Sequence, residues 1–178
     1  MAIQYKSISE EQASFINDQK IYFVATATDH SKVNLSPKGM DSFRILDANR
    51  VMWLNLTGSG NETAAHLLKN NRITIMFCSF EAKPLILRLY GTAKSIHPKD
   101  EEWAKYISLF PEQLGCRQLI DMHIEMVQTS CGFAVPFMEH KGERDTLKIW
   151  ADKKGEEGIT DYWKERNSIS LDGDPTGI

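Results

Sequence analysis

Between Ile21 and Thr129 the sequence returns again and again to β-branched and aromatic residues, over 21–27, 33–36, 51–56, 72–80, 84–96 and 120–129. Such runs favour strands. Short turns join most of them, and no strand–helix–strand alternation of the doubly wound kind runs through the set. A parallel sheet needs that alternation, so five or six strands in an antiparallel arrangement are predicted. In the 84–96 run, Leu85, Leu87 and Leu89 alternate with Ile86, Arg88 and Tyr90, which gives one apolar and one mixed face. The chain therefore reads as mainly β with α: a small antiparallel β-barrel with peripheral helices.

The helices carry their own signals. Ser9 precedes Glu10, Glu11 and Gln12, the pattern of a capping box, and predicts a helix to about Gln19. Asp29-His30-Ser31-Lys32 turns one strand back into the next as a hairpin. Glu62 to Lys69 reads as a short helix ended by Asn70-Asn71. Pro98 to Trp103 opens another, with acidic residues in its first turn where the helix dipole favours them. The chain turns helical again from about Asp145 to Arg166, before a polar tail. One domain over 1–178 is expected, with a helical C-terminal extension over about 145–178.

Composition excludes several function classes. The chain has 178 residues, 42% of them hydrophobic, and a net charge of −3. That balance gives no basic surface for nucleic acid. No apolar run reaches the roughly 18–20 residues of a membrane span, and the polar start MAIQYKSISEEQ has no signal-peptide core. Cys78, Cys116 and Cys131 form no C-x-x-C pair and fit free thiols in a reducing compartment, so a soluble cytoplasmic protein is expected. His123 and Glu125 stand two apart on one strand face, but no P-C-x-x-C follows to complete a zinc site, and no metal is expected. No Gly-x-Ser-x-Gly elbow is present.

Three segments carry candidate chemistry. In the first, a strand runs through Asn55 and Leu56 into Thr57-Gly58-Ser59-Gly60-Asn61, and a helix begins directly after it. The glycines permit close backbone approach, Ser59, Asn61 and Thr63 bring donors, and the free N–H groups of a helix start favour an anion. A polar turn with Asn61 as a simple helix cap is the competing reading. The second is Ser36-Pro37-Lys38-Gly39, where Pro37 removes a ladder donor and confines the strand to a sheet edge. The third is Cys131-Gly132-Phe133-Ala134-Val135-Pro136, an apolar stretch after the last long strand.

In order, these segments read N-L-S-P-K-G, W-L-N-L-T-G-S-G-N-E-T-A-A-H-L, R-I-T-I-M-F and L-R-L-Y-G-T-A, followed by S-C-G-F-A-V-P-F. The set resembles the pyridoxamine 5′-phosphate oxidase-like FMN-binding proteins. The resemblance implies a split antiparallel β-barrel, a homodimer, and FMN held between its subunits for an oxidoreductase reaction on a small molecule. It places the flavin ring against Ser36, Pro37, Lys38 and Gly39. Asn55, Leu56 and Thr57 would line the ring or the ribityl chain, and the phosphate would sit at Ser59, Asn61 and Thr63. Arg72 would be a further cation, although a solvated strand end explains it equally. Cys131, Gly132, Val135 and Pro136 would be a wall supplied by the partner subunit. The chain departs from the family's oxidases in two places. It lacks their C-terminal Arg-x-His, and Gly60-Asn61-Glu62 replaces their basic pair. Pyridoxamine 5′-phosphate is therefore not the expected substrate, and a neutral planar one is.

Overall fold

The computed structural model describes residues 2–178, and its core is one antiparallel sheet of eight strands. These are β1 (Ile3–Tyr5), β2 (Tyr22–Thr26), β3 (Asn34–Lys38), β4 (Phe43–Asp47), β5 (Arg50–Leu56), β6 (Arg72–Cys78), β7 (Ile86–Ile96) and β8 (Cys116–Ser130). The order across the sheet is β3-β2-β6-β7-β8-β5-β4, with β1 added to β8. The helices are α1 (Glu10–Asp18), α2 (Glu62–Lys69), α3 (Glu101–Tyr106) and α4 (Thr146–Tyr162).

The sheet curls on itself. Tyr22 of β2 meets Phe43 of β4 at 5.1 Å, although the two strands lie at opposite ends of the order, and Phe77 of β6 packs on both rings. The seam is closed by side chains rather than by a hydrogen-bonded ladder, which is a split barrel. Its interior is filled by Val24, Val51, Trp53, Ile75, Phe77, Leu87, Leu89, Ile120 and Met122, with Ile16 of α1 as a plug. A second, smaller core lies on the outer face, where Met52, Leu54, Ile96 and Leu119 receive Tyr106 and Phe110.

Local signals placed most elements. Ser9 and Gln12 exchange the two bonds of the predicted capping box, at 2.9 and 3.3 Å. Helix α2 and the alternation of β7 stand where periodicity put them, and Pro37 sits on edge strand β3, where its missing N–H breaks no ladder. Four features differ from the sequence reading. There are eight strands, because β1 and β4 escaped it. β1 is three exposed residues recruited to β8, and β4 is a five-residue hairpin arm half-buried up to its exposed last residue, Asp47. The helix expected from Pro98 starts at Glu101, because the segment before it closes a turn through Asp100 on His97 N–H. β8 begins four residues earlier than expected, at Cys116. α4 is interrupted at Gly155, whose φ of 67° is outside the helical range, and ends in a wide turn over Trp163–Asn167. Among the described residues no helix is long and apolar enough to cross a membrane.

Candidate functional site

Strands β3, β5 and β8 and the start of α2 carry a continuous set of polar side chains. On β3 the alternation leaves Leu35 and Pro37 exposed and brings Asn34, Ser36 and Lys38 half under cover. Ser36 Oγ donates to Asn34 Oδ1 at 2.9 Å, and Asn34 Nδ2 donates to Thr63 Oγ1 at 3.1 Å. The two segments suspected separately from sequence, 34–39 and 57–63, are thus joined side by side. Further along, Lys38 Nζ donates to Asn55 Oδ1 at 3.4 Å, and Asn55 Nδ2 donates to Gln118 Oε1 at 3.0 Å. Gln118 is fully buried, and its Nε2 has no partner.

The strand-to-helix turn is held from behind by the C-terminal part of the chain. Thr57 Oγ1 donates to Gly115 O and accepts from Trp163 Nε1, both at 2.8 Å. Asn167 is the hub. Its Oδ1 accepts from Arg117 Nη1 at 2.7 Å, its Nδ2 donates to Gly58 O at 3.1 Å, and its carbonyl accepts from Asn61 Nδ2 and Thr176 Oγ1. Arg117 also donates to Gly60 O at 2.9 Å. Beyond the hub, Glu62 accepts from Leu171 N–H, while Lys32 and Lys69 pair with Asp172 and Asp174.

The side chains of Thr57, Asn61 and Thr63 are therefore buried and bonded within the chain. What the turn still offers outward is its exposed 58–60 backbone and Ser59. Asn61 does not cap α2, so the helix start keeps free donors.

Electrostatics mark this region as a site for an anion. Among the described residues, no carboxylate lies within 4.0 Å of Lys38 or Arg117. Burial pushes the Lys38 ammonium down to about 8, with the Arg117 charge as a lesser cause. Burial likewise pushes Arg117 down to about 10. Arg117 Nε, Gln118 Nε2 and Asn61 Oδ1 are buried without partners. The desolvated cations and the two orphan donors, Arg117 Nε and Gln118 Nε2, are costly alone and suit a negative ligand, whereas Asn61 Oδ1 is an acceptor and calls for a donor. A larger cavity, about 890 Å³, lies elsewhere, between α1, residues 39–45 and residues 140–148. Its walls mix both signs of charge and contain none of these orphan atoms, so the polar set carries the site and the larger cavity does not.

Other predicted positions stand apart. Leu56 packs into the outer core. Gly39 lies against α1, where an added Cβ would meet Lys20 O at 3.2 Å. Arg72 is exposed and bonded to Asn70, a solvated strand end. Cys131, Gly132, Val135 and Pro136 follow the far end of β8. They are twelve or more residues of strand away from Gln118, roughly 40 Å along the chain. The sequence reading missed Gln118, Trp163 and Asn167 and gave Arg117 no place in the site. The Arg-Gln pair that opens an otherwise apolar β8 was the available signal.

Because Asn167 is fully buried and both its carboxamide bonds are lost, Asn167→Ala is expected to cost about 2 kcal/mol. It leaves Gly58 O and one Arg117 donor unpaired. Thermal melting measures the loss, and limited proteolysis should cut the freed tail faster than in the parent.

Residues 8–131 match the family model described as pyridoxamine 5′-phosphate oxidase. The pyridoxamine 5′-phosphate oxidase family protein ustO of Aspergillus flavus is 35% identical over 195 residues, covering 98% of this chain and 78% of that protein. Among solved structures, a protein related to general stress protein 26 (pyridoxinephosphate oxidase family) from Clostridium acetobutylicum superposes with a TM-score of 0.52 at 19% identity. That match covers 68% of this chain and 86% of the other. The FAD binding protein from Mycobacterium smegmatis superposes with a TM-score of 0.50 at 10% identity, covering 71% of this chain and 97% of that one. At such identities the two structures are alike in fold.

Proposed function

Since the chain belongs to the pyridoxamine 5′-phosphate oxidase family, we propose that it is a flavoprotein that binds FMN and uses it in an oxidoreductase reaction on a small molecule. The observation that carries this reading is the pair of buried cations with no acidic partner, Lys38 and Arg117, beside an orphan amide donor at Gln118. FMN brings a phosphate dianion and, once reduced, negative charge on its ring; both match that donor set.

In this reading Ser36 and Lys38 face the ring, Pro37 and Gly39 shape the strand end that carries them, and Asn55 holds Lys38 in place. Gln118 Nε2 supplies a further donor. The phosphate is met by Ser59 and the uncapped α2 start, while Asn61 and Thr63 act by shaping that turn. Thr57 backs the ribityl chain, and Leu56 anchors the end of β5 in the outer core. Arg72 is left out, since it is spent on Asn70. Bound FMN supplies the electron transfer. The protein's own part is to orient it, to keep a positive charge at Lys38, and to keep water from the back of the turn with Trp163 and Asn167.

The partner in this reading is a second copy. Phe133 and Phe137 are each 81% exposed on the irregular segment after β8. Seating that segment on a two-fold mate would bury both and carry Cys131, Gly132, Val135 and Pro136 to the other subunit's site. The segment 131–138 holds no cation, so its wall suits a neutral planar substrate better than a phosphorylated one such as pyridoxamine 5′-phosphate. With Cys78, Cys116 and Cys131 all unpaired, the cytoplasm is the compartment we assign.

The test is a titration of the full chain with FMN and with riboflavin, followed by flavin fluorescence, with the mass read by light scattering. FMN should bind more tightly than riboflavin, and the particle should have about twice the 20.3 kDa chain mass. Equal affinity for both ligands would remove the phosphate site. A purified protein with a haem Soret band and no flavin uptake would overturn the flavin reading.

A further inference from the structure

On the far side of the turn from Lys38, helix α2 presents Glu62 and His66, one helical turn apart and so on one face. The C-terminal tail lays Asp172 against them. One ligand atom from each of the three lies within 4.8 Å of the others. We propose that Glu62, His66 and Asp172 bind a single divalent transition-metal ion, zinc by ligand type, which clasps the tail to α2. This proposal stands independently of the flavin reading.

The histidine carries the argument. His66 is 1% exposed. Its Nδ1 lies 3.0 Å from Thr26 Oγ1 on β2, and its Nε2 is buried with no partner. A neutral imidazole that donates Nδ1–H to Thr26 holds its lone pair on Nε2. That is the tautomer a metal ion requires, with the ring oriented by its other nitrogen. A buried nitrogen left unpaired is a cost that a metal ion removes.

The carboxylates are also positioned before any ion arrives. Both Glu62 oxygens accept from Leu171 N–H, at 3.1 and 3.0 Å. Asp172 accepts from Lys32 N–H at 3.0 Å and from Lys32 Nζ at 2.6 Å. Each oxygen keeps a further lone pair. In a tetrahedral zinc site, ligands about 2.0–2.2 Å from the metal lie roughly 3.4 Å apart. The carboxylates therefore need to close by about 1 Å, a side-chain adjustment. Asp172 also lines a surface pocket of about 320 Å³ with residues 28–31, Lys69 and Asp174. The pocket gives an entry path and room for water as a fourth ligand. One nitrogen and two carboxylates suit zinc better than the softer, sulfur-seeking ions. Sequence spacing could not reveal the site, because position 172 is supplied by the fold.

The test is calorimetric titration of the chelator-treated full chain with Zn²⁺ alone, beside His66→Gln, Asp172→Asn and Thr26→Val. The parent should bind one ion per chain. His66→Gln and Asp172→Asn should abolish that binding, and Thr26→Val should weaken it by roughly 10–100-fold. Asp172 lies at the surface, so its variant should fold as the parent does without metal. Zinc should slow proteolysis of the tail in the parent and leave Asp172→Asn unprotected. No zinc binding by the parent would overturn the proposal. So would undiminished binding in His66→Gln and Asp172→Asn, because the ion would then sit elsewhere.

Discussion

A Lys38→Met protein is expected to bind FMN roughly 10- to 100-fold more weakly than the parent, and yet to melt at a higher temperature. The loss follows from removing a hydrogen bond from the ammonium to the flavin ring, worth about 1.5–3 kcal/mol because its donor is charged. The gain follows from the free protein, where Lys38 has only Asn55 to answer its charge. Its ordinary value of 10.5 is pushed down to about 8 on folding, mainly by burial. Between these two values the unfolded chain binds more protons than the folded one, so stability rises as pH increases through that window. Below about pH 8 the penalty is fully present and amounts to at most about 3 kcal/mol. Methionine keeps the stem and removes the penalty.

The same sign governs the ligand. Ring oxygens accept more strongly from the ammonium than from the neutral amine, so FMN affinity should fall as pH rises through 8 in the parent, and that fall should be absent in Lys38→Met. Fluorescence titrations across pH 7–9 and a thermal melt decide the matter. Loss of affinity together with loss of stability would make Lys38 a structural residue and end its assignment to the site.

Gly91→Ala is expected to cost about 3 kcal/mol or more, or to leave no soluble protein. Gly91 sits where the β7–β8 ladder slips register, between Tyr90 and Gly91. A Cβ there would lie 1.9 Å from His123 O, 3.0 Å from His123 C and 3.1 Å from Ile124 Cα. All three are backbone atoms of the neighbouring strand, so no rotamer change relieves the clash. The ladder, which runs from Ile86↔Ser130 to Ile96↔Leu119, would have to open in its middle. For a chain of this length the melting point should drop by roughly 6–12 °C. Gly158→Ala is the control. Its Cβ would meet only the flexible Lys154 side chain at 3.4 Å, and alanine in a helix should hold or raise the melting point. A Gly91→Ala protein that melts with the parent would mean that β7 and β8 do not approach this closely.

Local chemistry explains what could be read early. A capping box is completed within four residues, so Ser9 and Gln12 announced α1. Alternation over β7 exposed its buried face, because a pleat repeats every two residues. Pro37 declared an edge strand, since a missing N–H is tolerated only there. The glycine turn before α2 was visible for the same reason. β4 was not, because its half-buried residues follow neither alternation nor an apolar run. Nor was β1, whose three exposed residues are strand only because β8 lies beside them.

The sequence by itself determined the antiparallel class, most element bounds, and two segments, 34–39 and 57–63, that turned out to touch. Each rests on interactions spanning a few residues, where spacing and residue type are sufficient. Only the tertiary structure decided which side chains are spent and which are free. Asn61 read as a ligand donor or a cap; its side chain makes no cap bond, and its amide donates instead to Asn167, 106 positions later. Arg117 had no place in the sequence reading of the site, and the fold makes it a buried cation tied to Gly60 and Asn167. Asp172 reached α2 only through the path of the tail. Closing a loop of a hundred residues costs little more than closing one of fifty. Sequence separation therefore carries almost no information about which distant partners meet, and the packing of the barrel makes that choice.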